Sequence, residues 1–372
     1  SDVFFATREG LFLRRLYDRI VDLEGRRGRS LPPSRLLEVS RRATFAASLR
    51  RLTLAELMRL WSLYSTQSLS AFCRSLNLDS AALRIQARRH GLRLGEPIRY
   101  PWQDSRMRAL FADARFTDWL ARQCARQRDE LWGYLEAAGF DPAANKARMF
   151  VDIGWRGSIQ DNLSFIVNGS TRGVYLALYE YLAEQPGNAA KHGFLMDRNR
   201  RPAPHLGEFA ALEFLANGPG GSVVGYKNGE AIKETVEAEE ALLVDEILPL
   251  QERILARAEV MHERLAMLPL DWAQLGEGAR LLCADFIETP PTGIADLFQR
   301  LAHNESFGAG AVDTMATSGV PGRERVSDSA FHHAATQALT SVRWPQAYVR
   351  SSAWGHFRDA LSLGQRIALP RL

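Results

Sequence analysis

Cysteine is scarce in this sequence. Cys73, Cys124 and Cys283 are three in number and stand far apart, which gives neither a disulfide framework nor a zinc-ligand spacing. No apolar run approaches the roughly 18 residues of a membrane span. The chain opens directly on Val3-Phe4-Phe5-Ala6, without the basic region or cleavage site of a signal peptide. Internal repeats and low-complexity tracts are also lacking. A soluble protein of the cytoplasm is therefore expected, and the abrupt start suggests a domain of a longer chain. Lysine is rare as well, with four residues, so part of the arginine abundance reads as genome composition.

What is present is ordinary for a folded chain. Of 372 residues 46% are apolar and 24% charged, enough for one large or two ordinary domains and against wholesale disorder. The net charge of +4 hides an asymmetry: residues 1–140 carry 25 Arg against 15 acids, and 141–372 carry 22 Lys plus Arg against 28 acids. A basic half suits an anionic partner such as phosphates, nucleic acid or a membrane surface.

Along the chain, residues 2–7 read as a buried strand, 8–10 as a loop and 11–20 as an amphipathic helix. Residues 21–34 read as a loop. Helical patterns follow over 36–50, 54–63, 68–76, 79–90, 105–126 and 127–138, a large helical insertion at about 36–140. A second β-loop-α unit then starts with a strand at 148–152, a loop at 153–158 and a helix from Ile159, and 173–179 reads as the next strand. The loop at 218–222 enters a strand at 223–226, and 234–266 reads as one or two long acidic helices. Alternating strands and helices imply an α/β fold with a partly parallel sheet over residues 1–233 and a mainly helical C-terminal region over 234–372 packed on it.

The chemistry gathers at the glycine-bearing loops. In Val151-Asp152-Ile153-Gly154-Trp155-Arg156-Gly157-Ser158 a strand ends in an acid and runs into glycines and a serine that opens a helix. Backbone N–H groups and the Ser158 hydroxyl there suit a phosphate, and Asp152 stands where α/β folds bind ligands. Thr7-Arg8-Glu9-Gly10 repeats the device with a guanidinium that can grip a diphosphate. Ser40-Arg41-Arg42-Ala43 adds two arginines about 100° apart on a helix, so one at most need face a site. Glu213, among apolar neighbours before Gly218-Pro219-Gly220-Gly221-Ser222, is a candidate general base with a raised pKa. His192 and His205 read as structural or surface residues. Ser68 to Leu92 has the cadence of a helix-turn-helix, but any short αα-hairpin gives a similar pattern and no second half of a DNA-binding domain is evident, so no nucleic-acid partner is expected.

The sequence resembles the glycan phosphoribosyltransferase half of bacterial dual-domain ribofuranosyltransferases. The resemblance rests on Phe4 to Leu13, Val39-Ser40-Arg41-Arg42-Ala43, Val151 to Gln160, Glu213-Phe214, and Gly221 to Tyr226, in the family's order. It implies a fold divergent from ordinary phosphoribosyltransferases, 5-phosphoribosyl-1-diphosphate (PRPP) as donor, and a hydroxyl of a bacterial surface polysaccharide, such as a lipid-linked O-antigen, as acceptor. It further implies other glycosyltransferases as partners and work at the inner face of the cytoplasmic membrane. A haloacid-dehalogenase-type (HAD-type) phosphatase, fused or separate, would remove the 5-phosphate; its aspartate signature is absent from this chain. Position 9 is usually Asp in that family and is Glu9 here. On this reading Asp152, Glu213 or Glu9 is the base, with Asp152 favoured. Arg8 and one of Arg41 or Arg42 hold the diphosphate, and the turn of Gly154, Trp155, Arg156, Gly157 and Ser158 holds a phosphate. Gly10, Gln160, Ser222 and Tyr226 complete the substrate-binding set. Mg²⁺ is a plausible companion of the diphosphate, though the sequence does not demand it. A sugar-nucleotide glycosyltransferase and a non-catalytic scaffold or nucleic-acid-binding protein are the alternatives.

Overall fold

A computed structural model describes residues 2–200, 209–300, 302–305, 311–314 and 344–351. The chain divides into two units, Ser1–Arg201 with Gly218–Val236 and Asn304–Val312, and Pro202–Asn217 with Glu237–His303 and Asp313–Leu372.

The first unit begins with β1 (Val3–Ala6), apolar throughout and buried throughout, as expected for a strand covered on both faces. The chain continues through α1 (Gly10–Arg26), β2 (Ser34–Leu37), α2 (Arg41–Ser48) and α3 (Leu54–Trp61). Next come β3 (Thr66–Gln67), α4 (Leu69–Ser75), α5 (Ser80–Arg89), β4 (Ile98–Arg99), α6 (Ser105–Ala112) and α7 (Ala114–Ala137). The sheet resumes with β5 (Arg148–Trp155), α8 (Ser158–Ser164), β6 (Thr171–Leu178) and β7 (Ala189–Asp197), and an antiparallel hairpin of β8 (Ser222–Lys227) and β9 (Glu230–Glu234) closes the unit.

The main sheet has the order β2-β1-β5-β6-β7, and every pairing in it is parallel. From β1 the chain steps to one side for β2 and later to the other side for β5. That reversal is a topological switch point, where open parallel sheets leave a crevice beyond the strands' carboxyl ends. Helices α2 to α7 fall within the expected helical insertion. Ser40, Thr53, Ser68, Asp79 and Asp113 each cap a helix start by accepting a backbone N–H. The insertion has its own core around Trp61, Phe72 and Phe116, and a second core around Phe4, Leu131, Phe150 and Tyr175 covers one face of the sheet. The helix-turn-helix cadence corresponds to α4 and α5, whose turn carries Asn77 at φ 51°, with Phe72, Leu76, Leu83 and Ala87 buried in the insertion core.

Four expectations are revised. Helix α1 extends to Arg26, into the expected loop, and Ser34–Leu37 is a strand paired to β1 rather than helix or loop. The Leu36, Leu37, Val39 spacing mimics a helix, and pairing outweighs it. The two expected helices over 105–126 and 127–138 are instead the short α6 and one unbroken α7: Asp113 caps the start of α7, and its single glycine, Gly133, costs too little to break it. Strand β5 continues through Ile153, Gly154 and Trp155, which shortens the anticipated loop. Strand β7 had not been anticipated, since its lysine, histidine and glycine mask the alternation.

In the second unit α9 (Ala210–Ala216) is followed by α10 (Glu237–Leu242), a π-turn at Leu243–Ile247, α11 (Leu248–Met267), α12 (Trp272–Glu288), α13 (Thr292–Gln299) and α14 (Pro345–Arg350). Gln251 ties α11 to the carbonyls of Leu215 and Asn217 at 2.9 Å each. The Trp344 indole, buried against Phe298, donates to the Ile287 carbonyl at 2.9 Å. The three cysteines are free and buried. No described helix is long and apolar enough to cross a membrane.

Candidate functional site

Parallel pairing brings the two glycine-bearing loops to one edge. Phe5 stands opposite Val151, so Asp152 comes level with Ala6, where β1 ends while β5 runs on to Trp155. Gly10 opens α1 directly above β1: a Cβ at this position would lie 2.9 Å from the Phe5 carbonyl carbon. The Thr7 N–H donates to the Leu37 carbonyl at 3.0 Å, and its hydroxyl oxygen accepts the Val39 N–H at 3.2 Å. The loop after β1 is thereby pinned to the loop after β2, which carries Ser40, Arg41 and Arg42. The Glu9 carboxylate accepts the Arg8 N–H at 3.2 Å. Gly218 runs past this loop, with room for a Cβ denied by Leu11 Cδ1 at 2.8 Å and the Arg8 carbonyl oxygen at 3.2 Å.

Within β5, Asp152 is buried, and its Oδ1 accepts the Ile153 N–H at 2.8 Å. Gly154 has φ 135°, and a Cβ there would stand 2.0 Å from the Ala177 carbonyl oxygen; the sheet demands glycine whatever the turn binds. Trp155 adopts φ 74°, uncommon for a residue with a side chain, and stacks on Tyr179 at 6.0 Å. The Arg156 guanidinium donates to the Glu180 carbonyl and lies 5.7 Å from the Tyr179 ring centre. Burial lowers its pKa. Gly157, at φ 64°, precedes Ser158, the first residue of α8.

Beneath this turn lies a polar layer that sequence reasoning missed. Gln160 donates to the Thr171 hydroxyl (2.9 Å) and the Ala190 carbonyl (3.1 Å) and accepts from the Tyr175 hydroxyl (2.6 Å). Both ends of its amide are thus used inside the protein. Asp161 pairs with Lys191 of β7 at 2.6 Å. Burial pushes the Asp161 carboxyl up and the Lys191 ammonium down, and their mutual attraction opposes both shifts. Asn162 binds the Thr44 hydroxyl at 2.9 Å and accepts from Arg59. The Arg59 guanidinium lies 4.4 Å from the Phe165 ring centre, and burial pushes its pKa down to about 10. The available signal was a lysine within an apolar strand of a lysine-poor chain.

No protein-family model matches this chain, and no curated protein sequence does. The fold assembles Arg8, Glu9, Gly10, Asp152, Gly154, Trp155, Arg156, Gly157 and Ser158 at the carboxyl ends of two adjacent strands, with Arg41 at the start of α2 after the neighbouring strand. Arg42 is committed elsewhere: its Nη1 pairs with Glu234 of β9 at 2.8 Å. Ser222 opens β8, and Tyr226 further along the strand is a clamp, stacked on Tyr134 at 4.7 Å with its hydroxyl donating to the Glu38 carbonyl at 3.1 Å. The Ser40 hydroxyl donates to the Val223 carbonyl at 2.6 Å, so the β8–β9 hairpin holds the loop after β2 in place. Glu213 belongs to α9 in the second unit. His192 is exposed on β7, and His205 lies outside the described residues. Among the described residues no group of three or more His, Cys, Asp or Glu side chains could hold a metal ion.

Proposed function

We propose that this protein is a glycosyltransferase that moves a 5-phosphoribosyl group from PRPP to a hydroxyl of a bacterial surface polysaccharide, releasing diphosphate. The observation that carries the reading is the meeting of the Arg8 and Asp152 loops at the switch point of a parallel sheet. The motif blocks similar to those of glycan phosphoribosyltransferases, in the same order, support it.

In the reaction the C1–O bond to diphosphate breaks as the acceptor oxygen forms its bond to C1, and the hydroxyl proton passes to a carboxylate. Negative charge grows on the leaving group, which calls for fixed cations and N–H donors. Arg8 and one of Arg41 or Arg42 take this role. The turn from Arg156 to Ser158 receives the 5-phosphate. Asp152 is the preferred base, since it lies on the strand that carries this turn, level with the end of β1. Direct attack on an α-donor gives a β-ribofuranoside by inversion. A Mg²⁺ ion accompanying the diphosphate would need only one or two protein carboxylates, for which Glu9 is the candidate while Asp152 serves as base; it would neutralise diphosphate charge. Gln160 and Tyr226 act in this scheme by holding loops rather than by touching donor. A HAD-type phosphatase acting afterwards would remove the 5-phosphate.

A sugar-nucleotide glycosyltransferase would use the same sheet edge. Thermal shift with a panel of activated sugars separates the two: PRPP well above its Kd should stabilise by roughly 2–4 kcal/mol, whereas preference for UDP- or GDP-sugars would replace this donor assignment.

A further inference from the structure

Lys191 and Asp161 form the most deeply buried ion pair among the described residues, with side chains 2% and 12% exposed. Such a pair contributes little net stability, because desolvation offsets the attraction, so its position matters more than its strength. The Lys191 ammonium makes two further contacts, donating to the Arg156 carbonyl at 2.9 Å and to the Gln185 amide oxygen at 2.8 Å. It also lies 4.6 Å from the centre of the Tyr181 ring. Three acceptors therefore surround one ammonium directly under the turn that follows β5.

The Arg156–Gly157 peptide is trans. In a trans peptide the C=O and N–H point in opposite directions. Drawing the Arg156 carbonyl onto a buried ammonium therefore turns the Gly157 N–H away from that ammonium. Gly157 itself allows this approach: a Cβ there would meet Lys191 Cδ at 3.0 Å and the Tyr175 hydroxyl at 2.8 Å. The hydroxyl cannot yield easily, since it donates to Gln160 at 2.6 Å.

We infer that Lys191, fixed by Asp161, is a positioning residue that locks the Arg156–Gly157 peptide with its N–H presented to a bound phosphate. This rests on the proposed phosphoribosyl-donor site. Removing the lysine alone would strand a buried carboxylate, so the test uses the double variant K191M/D161L, which replaces the pair with apolar groups of similar size and should keep the fold. Two measurements are made on the whole protein, amide hydrogen exchange of the segment 155–160 and calorimetric titration with PRPP. The expected result is a wild-type melting transition, faster exchange confined to that segment, and PRPP binding about 10- to 100-fold weaker, with acceptor KM unchanged. Unchanged exchange in 155–160 overturns the inference whatever the donor proves to be. Faster exchange with unaltered PRPP affinity also overturns it, because the lock would then serve no ligand. Faster exchange in a protein whose wild type ignores PRPP would uphold the lock and remove the donor reading instead. If the double variant does not fold, K191Q is measured in its place, with the same outcomes deciding.

Discussion

Substituting Gly157 by alanine tests the turn at its tightest point. The residue sits at φ 64°, a left-handed conformation that costs a residue with a Cβ about 1–2 kcal/mol. The new methyl would also lie 2.8 Å from the Tyr175 hydroxyl and 3.0 Å from Lys191 Cδ. Either the hydroxyl gives up its 2.6 Å bond to Gln160 or Lys191 retreats from the Arg156 carbonyl. A hydrogen bond lost in a buried layer costs a further 1 kcal/mol or so. The sum is about 2–3 kcal/mol, a large effect for removing no interaction by truncation. Urea denaturation followed by tryptophan fluorescence, with wild type and G157A side by side, measures it. A change below about 0.5 kcal/mol, the range of an ordinary surface substitution, would refute the described packing of Gly157 against Tyr175 and Lys191.

Other outcomes follow from the same structure. Arg8→Ala should weaken PRPP binding about 10- to 100-fold, the loss expected for a charge-assisted contact, with the melt unchanged; normal binding in calorimetry would make the first loop structural. Tyr226→Phe removes a hydroxyl that donates to the Glu38 carbonyl and should cost about 1 kcal/mol of stability while leaving PRPP affinity intact; a large affinity loss would return Tyr226 to the donor site. Burial pushes the Cys73 and Cys124 thiols up to about 12 and Cys283 to about 11. Thiolate is the reactive form, so at pH 8 all three should resist alkylation in the native protein and react in urea, as intact-mass measurement will report.

Much of the fold was legible because hydrophobic period and helix caps act locally. Thr53, Ser68 and Asp79 stand at the starts of expected helices and cap them in the structure, whereas Ser40 and Asp113 cap helices from inside longer expected runs. Strand β1 and the helical character of the insertion could be read directly, though not every helix boundary. The strand at Ser34–Leu37 could not, because four residues carry too little pattern and only its pairing with β1 defines it. At the candidate site, the two loops were legible as glycine-bearing strand ends. Their adjacency depends on sheet order, which no local pattern encodes. Gly154 looked like a loop residue, yet it lies in β5 against Ala177. Lys191 and Asp161 were illegible as a pair, since 30 residues separate them and only the β6–β7 pairing brings β7 under α8.

The central claim is phosphoribosyl transfer with Asp152 as base, and one assay addresses it most directly. Wild type and Asp152→Asn are incubated with PRPP and a synthetic glycan acceptor, and product is followed by mass spectrometry, with folding verified by thermal melt. Asn keeps the size of the side chain and an oxygen that can accept the Ile153 N–H, so the turn should stand. The account predicts one phosphopentosyl unit added per acceptor by wild type, from PRPP and not from UDP- or GDP-sugars. It predicts a rate lower by ~10²–10⁴-fold in the folded variant, as for loss of a general base. Transfer by the folded variant at the wild-type rate, or addition from a nucleotide sugar alone, would contradict it.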